Sequence, residues 1–226
     1  MSKKTFSNLI FLLLIPLLCV AGLLFFRDKL YAWLSVGITV LCCAGYFLHF
    51  ERKEIKSAQL AIISAMTALS VFGRMCFAFL PGFKPCTALV IITGMYFGRE
   101  SGFMTGAMTA LISNFYFGQG AWTPFQMLVW GLTGYAAGML AERLKKSRPT
   151  LLIFGAVSGP AFSLIMDLWS CIWADNGFVP SRYLALVASS AWFTLIYAVS
   201  NTLFLFLLEK PLGRIFTRLD RKYDIT

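Results

Sequence analysis

Between Phe117 and Gly131 the chain reads FGQGAWTPFQMLVWG, free of charge and set between two long apolar runs. Gln119 and Gln126 flank Trp122 and Thr123, and Trp130 lies inside the run that follows. Amides that both donate and accept, set beside rigid aromatic faces at a helix entrance, suit recognition of a small organic ligand. Two other segments offer similar groups. Gly73–Pro85 carries Arg74 and Lys84 among Phe77, Phe79 and Phe83, and residues 169–183 carry Trp169, Trp173, Asn176, Phe178, Arg182 and Tyr183. Asn114 and Tyr116 lead into the stretch, and Asp167 is the one acidic residue deep in an apolar run. The candidate ligand-binding set is therefore Arg74, Lys84, Asn114, Tyr116, Gln119, Trp122, Gln126, Trp130, Asp167, Trp173 and Asn176. An interfacial aromatic belt is the plainer explanation. It accounts for rings at helix ends, but less readily for two glutamines around Trp122 or for Trp130 within a run.

Other chemistry finds little support. No G-x-x-x-x-G-K-[ST] loop is present, so ATP is not handled by that route. His49 is the single histidine, and no H-E-x-x-H or C-x-x-C occurs, so no metal site is expected. There are no clustered carboxylates and no nucleophile–base set, which argues against a membrane enzyme acting on a lipid or isoprenoid. Asp167 could serve a proton- or cation-driven carrier, or act as polar packing or a ligand contact. Of the six cysteines, most sit in apolar runs as small packing residues. Cys76 and Cys86 flank one loop and could pair if it is extracellular.

The elements that must position these groups are membrane helices. The composition is 58% hydrophobic and 13% charged, with a mean hydropathy of +0.74, and apolar runs of bilayer-spanning length recur. The runs predict an all-α polytopic protein with helices near 8–26, 30–50, 58–72, 86–97, 102–116, 123–143, 150–173 and 183–208. The first is read as a retained helix, since no A-x-A cleavage site follows it. Arg27-Asp28-Lys29 reads as a turn, His49 as an interfacial residue and Glu51–Ser57 as a charged linker. Gly98–Ser101 reads as another turn, Thr123 as an N-cap and Pro124 as a first-turn proline. Pro160 should kink the seventh helix. Small residues recur four apart as Ala61/Ala65, Gly102/Gly106, Gly134/Gly138 and Gly155/Gly159, a pattern that permits close helix contact. The division expected is 1–57 (helix pair and linker), 58–208 (main membrane core) and 209–226 (a basic tail forming an interfacial helix).

The net charge of +10 follows topology. With eight spans and the N-terminus inside, 15 of the 20 Lys and Arg fall on the inner side and 5 on the outer. That satisfies the positive-inside rule with both termini cytoplasmic. It puts Gly73–Pro85, Phe117–Thr123 and Ala174–Arg182 together outside. No basic face with interleaved aromatics suggests nucleic acid.

Residues 58–208 resemble the substrate-binding S-component of energy-coupling factor (ECF) vitamin transporters. Ala61 and Ala65 match that family's A-x-x-x-A helix, and six helices match its core. The text from Gly118 to Met127, with Trp130-Gly131 after it, is similar to a cobalamin-type branch. The resemblance implies a six-helix core with about two extra N-terminal helices, in a bacterial cell membrane. It implies a non-catalytic subunit that binds a vitamin outside, most readily cobalamin or its precursor cobinamide. Other vitamins or precursors (lipoate, a queuosine precursor, a riboflavin-like compound) remain open. Ala61 and Ala65 would meet a transmembrane coupling subunit carrying two cytoplasmic ATPases, and toppling in the membrane would release the vitamin inside. No cofactor of the chain's own is implied, because ATP is hydrolysed by the partners. A self-sufficient carrier built on Asp167 remains the competing reading.

Overall fold

In a bilayer a backbone N–H or C=O has no water to turn to, so each apolar run must close its hydrogen bonds within itself, as a helix. The computed structural model describes residues 8–26, 31–50 and 57–223, and those residues form helices joined by short turns. Helix α1 is Ile15–Ala21, continued by π-helical turns at Ile10–Leu14 and Gly22–Phe26. There follow α2 (Tyr31–Phe50), α3 (Ser57–Cys76), α4 (Cys86–Phe97), α5 (Arg99–Phe117), α6 (Thr123–Met139), α7 (Ala141–Lys146), α8 (Arg148–Asp175) and α9 (Pro180–Tyr223). Among the described residues, Ala58–Cys76, Arg148–Asp175 and Pro180–Tyr223 are long and apolar enough to cross a membrane. The turn at Arg27–Lys29, the linker 51–56 and the side chain of His49 lie outside the described residues.

Helices α4, α5 and α6 form the centre, and glycine is why they can. A Cβ on Gly102 of α5 would strike the carbonyl of Gly134 on α6, and a Cβ on Gly134 would strike the carbonyl of Gly102. Gly106 meets the backbone at Trp130, and Gly94 of α4 meets the same Gly134 carbonyl. Gly102, Gly106 and Gly134, small residues marked by their spacing in the sequence, are thus contacts of backbone against backbone between α5 and α6. Nearly every residue of α4 is buried, which explains a run with no polar face.

The peripheral pair α8–α9 is built differently. Gly159 lies against the backbone at Tyr197 and Ala198, and polar side chains then bridge the antiparallel helices at intervals. Ser190 donates to Asp167 Oδ2 at 2.6 Å, Thr194 to Ser163 at 2.6 Å, and Asn201 Nδ2 to Ser158 Oγ at 3.1 Å. The extra N-terminal pair packs on the central helices. Phe11 sits 4.7 Å from the Phe103 ring and 5.6 Å from that of Tyr135, and the Tyr135 hydroxyl donates to Asn8 Oδ1 at 2.8 Å.

Several boundaries differ from the sequence reading. Helix α3 continues four residues past Phe72 to Cys76, because the chain breakers Pro81-Gly82 come only later. The expected Gly98–Ser101 turn shrinks to Gly98 alone, whose φ of 92° is open to glycine and costly for other residues. Helix α6 stops at Met139, and the expected extension to Arg143 is the separate α7. Thr123 is the first residue of α6 and caps nothing; Trp122 holds the N-cap position without a side-chain bond. The tail is no separate helix. Helix α9 runs unbroken through Pro211 to Tyr223, because Leu212, Phe216 and Leu219 prolong its apolar stripe against α4. Cys76 and Cys86 are unpaired. Cys76 lies on the surface of the extended α3, while the buried Cys86 thiol turns inward and donates to Ser70 O at 3.3 Å.

Candidate functional site

Arg74 is the unexpected residue. It lies in the last turn of α3 and is only 8% exposed. Among the described residues it forms no ion pair. Burying a guanidinium without a carboxylate is costly, so neutral groups must hold it. Its Nη1 donates to Ser113 Oγ and, at 2.8 Å, to Asn114 Oδ1, both on α5. Its plane lies 4.4 Å from the Phe117 ring centroid and 5.2 Å from that of Trp130, within cation–π range. Its Nε has no hydrogen-bond partner.

From Asn114 the network runs into the turn before α6. Asn114 Nδ2 donates to Thr123 Oγ1 and to Gln126 Oε1, each at 2.9 Å. Thr123 donates to Gln119 Oε1 at 3.0 Å, and Gln119 Nε2 donates to Leu111 O at 2.9 Å. Gly118, at φ 100°, ends α5 and lets the chain double back so that these groups meet. Arg74, Asn114, Gln119 and Gln126 are therefore brought together. Their bonds largely satisfy one another, so Asn114 and Gln119 chiefly hold the site in shape.

An aromatic line leads away from Arg74. Trp130 of α6 stacks on Phe162 of α8 at 5.4 Å and 18°, and Phe162 meets Tyr197 of α9 at 5.5 Å. Lys84 Nζ lies 5.4 Å from the Tyr197 ring. The loop bearing Lys84 is fixed on α9, where Ser200 Oγ accepts from the Lys84 N–H at 2.9 Å and donates to its carbonyl at 3.1 Å. Burial, and then the Arg74 charge, pull the Lys84 ammonium down to about 8. Like Arg74, Lys84 has no ion-pair partner among the described residues. Gly73 lies against Pro85 and the Arg74 charge acts on Lys84, so the two cations stand near each other beside a cluster of rings drawn from α6, α8 and α9. Ring faces and cations are groups that recognise a flat aromatic body with acceptor oxygens.

Phe162 and Tyr197 were not among the residues singled out in the sequence. Tyr197 carried a usable signal, a phenol in the middle of an apolar run; Phe162 carried none. A second aromatic group joins Phe125, Trp169 and Trp173. Trp169 and Trp173 stack at 5.8 Å and 22°, and the buried Trp169 Nε1 has no partner. The remaining candidates stand apart from Arg74. Tyr116 is 64% exposed, its ring edge-on to Phe117, and Trp122 is 38% exposed, folded over Gly120. Asn176 caps α8 in the left-handed conformation, and Asp167 is taken up by Ser190. Ala61 and Ala65 lie on the exposed side of α3 with Ala68, Leu69 and Phe72. No three His, Cys, Asp or Glu side chains converge to hold a metal ion among the described residues.

Comparison with known proteins agrees with this architecture. Residues 54–214 match the family described as ECF-type riboflavin transporter, S component. Neither the curated proteins nor the solved structures offer a match. The match starts just after the N-terminal pair and takes in every helix that lines the site. S components are the vitamin-binding, non-catalytic subunits of membrane transporters, and this chain belongs to the ECF-type riboflavin transporter S component family.

Proposed function

We propose that the chain captures a flat, oxygen-rich vitamin of the riboflavin class and carries it through the membrane for an ATP-driven uptake system. The observation that carries this reading is the cluster of Arg74, Trp130, Phe162, Tyr197 and Lys84, three rings beside two cations that have no ion-pair partner among the described residues. Ring faces of Trp130, Phe162 and Tyr197 would stack the heterocycle. The free Nε of Arg74 and the Lys84 ammonium would donate to its carbonyl or hydroxyl oxygens. The family name supports riboflavin as the first candidate. Cobalamin or cobinamide is the second reading, favoured by the text from Gly118 to Gly131 and by exposed Tyr116, Trp122 and Trp173, which would suit a larger ligand.

The charge asymmetry of the loops supports an outward-facing site with both termini in the cytoplasm. Energy would come from partners, a transmembrane coupling subunit and two ATPases. Exposed Ala61 and Ala65 give α3 a flat strip on which a partner helix can pack closely. The test is titration of the purified protein with riboflavin, cobalamin, cobinamide, biotin, folate and lipoate, followed by tryptophan and flavin fluorescence. Saturable one-to-one riboflavin binding, weakened in Arg74→Met, is the expected result. Saturable binding of cobalamin instead would move the assignment to the second reading, and no binding of any would overturn both. Ala61→Trp should abolish uptake with the coupling module while leaving that titration unchanged.

A further inference from the structure

Helix α9 has 44 residues. At about 1.5 Å per residue it is about 66 Å long, twice the roughly 30 Å of bilayer hydrocarbon. Its apolar stretch ends at Leu208, and residues 209–222 then carry five basic side chains against two acidic ones. The far part of α9 must therefore leave the hydrocarbon and enter the headgroup layer. It does not leave alone. Phe216 packs edge-on to Phe97 at 4.8 Å and lies 5.6 Å from the Tyr96 ring. Gly213 lets the Tyr96 hydroxyl come against the α9 backbone.

Beside this contact is a polar cavity of about 540 Å³, lined by Tyr96, Lys210, Arg214, Thr217, Arg218 and Arg221. Glu209 is its one carboxylate, and the Tyr96 hydroxyl already donates to it at 3.1 Å. Lys145 of α7 reaches over the other side of Tyr96, 4.7 Å from the ring centroid. Lys210, Arg214, Arg218 and Arg221 succeed one another on one helical face. The three guanidinium groups among them suit phosphate geometry, where two parallel N–H groups meet two oxygens.

We propose that this cavity binds the phosphate of an anionic phospholipid headgroup. The position favours a lipid over a soluble anion. The cavity opens where the same helix leaves the hydrocarbon, so a lipid whose chains lie along the apolar part of α9 has its phosphate beside Arg214 and Arg218. Basic residues near an anionic leaflet are drawn to it, and an open groove with Tyr96 on one side adds geometry that a bare basic tail lacks. The site lies at the other end of the bundle from Arg74 and is independent of which vitamin is carried.

The test uses the full chain in nanodiscs of phosphatidylcholine with one-fifth phosphatidylglycerol, with the co-purifying lipid counted by mass spectrometry. The expected result is about tenfold enrichment of phosphatidylglycerol around the wild type, lost in the double variant Arg214→Gln/Arg218→Gln. Lys222→Gln, just beyond the cavity, should keep the enrichment. Vitamin binding reports folding, since neither the double variant nor Lys222→Gln touches the other end. Equal retention of the two lipids by the wild type would overturn the proposal. So would equal loss in Lys222→Gln, which would mean diffuse charge and no defined site. Loss of enrichment on adding millimolar inorganic phosphate to the wild type would overturn the lipid assignment in favour of a soluble anion.

Discussion

The two halves of the bundle that meet at Arg74 are held together by different physics. Helices α4, α5 and α6 touch through bare backbone at Gly94, Gly102, Gly106 and Gly134. Helices α8 and α9 touch through backbone at Gly159, and elsewhere through side chains that bridge at Asp167–Ser190, Ser163–Thr194 and Ser158–Asn201. The first interface has no slack, because a carbonyl cannot rotate out of the way. The second has one such backbone contact, at Gly159, and is otherwise held by side chains, which can exchange hydrogen-bond partners. The central half holds the polar network around Asn114, and the peripheral half supplies Phe162 and Tyr197. A ligand lying between them would have one fixed wall and one adjustable wall, which suits a subunit that must first hold a vitamin and later release it.

The largest expected effect breaks the fixed wall. Gly134→Val places two methyl groups against the Gly102 carbonyl and Val90. Overpacking of a tight core costs about 1–3 kcal/mol, and more where backbone must move, so this variant should fall at the upper end or fail to fold. Gly155→Ala makes the contrasting case on the adjustable wall. Its new methyl meets the end of the flexible Leu205 side chain, and the gain in helix propensity is about 1 kcal/mol. Its thermal midpoint in detergent should stay close to wild type. Equal losses in the two variants would remove the distinction between the walls.

Arg74 comes next, because it joins the halves. Hydrogen bonds to charged groups contribute about 1.5–3 kcal/mol, so Arg74→Met should weaken vitamin binding about 10- to 100-fold. Arg74→Lys keeps the charge but cannot reach Ser113 and Asn114 together. It should recover only part of the affinity by titration. Full affinity in Arg74→Met would mean that the guanidinium only packs.

How far this was readable beforehand depended on the kind of signal. Length and hydropathy marked the helices, because a bilayer leaves the backbone no alternative. Gly118, Thr123 and Gln126 stood out because polar groups between apolar runs need a reason. Arg74 is visible in the sequence as a charge beside loop-forming residues; only the continuation of α3 to Cys76 shows it to be buried. Phe162 resembles many other phenylalanines in an apolar run, and nothing local shows that it will stack on Trp130. The end of α9 is hidden in the sequence because the rise in charge after Leu208 looks like a boundary. The stripe of Leu212, Phe216 and Leu219 that carries the helix onward matters only once Phe97 is known to face it.

Lys84 tests the adjustable wall more gently. Its ammonium titrates near 8 in the folded protein, held down by burial and by Arg74, against an ordinary value of 10.5. Between those values the unfolded chain binds the extra proton, so the stability of the free protein should rise with pH across that window. Vitamin binding should weaken over the same window as the donated proton is lost. In Lys84→Met both trends should flatten, measured as thermal midpoint and affinity from pH 7 to 9.5. A slope that persists in the variant would belong to another group.

Asp167 should give the smallest effect, and the size of that effect separates two kinds of transporter. Its Oδ2 accepts from Ser190 at 2.6 Å, one rung of the ladder between α8 and α9. An asparagine can accept the same bond through Oδ1, so Asp167→Asn should change the thermal midpoint little, within the roughly 0.5–1.5 kcal/mol of a typical hydrogen bond. Vitamin affinity and ATP-dependent uptake should both persist. A carrier driven by protons through this carboxylate behaves otherwise. It would bind normally, lose uptake in Asp167→Asn, and continue to transport in wild-type cells depleted of ATP. Uptake that fails on ATP depletion and survives the substitution leaves Asp167 as a structural rung, and leaves the driving force with the partners.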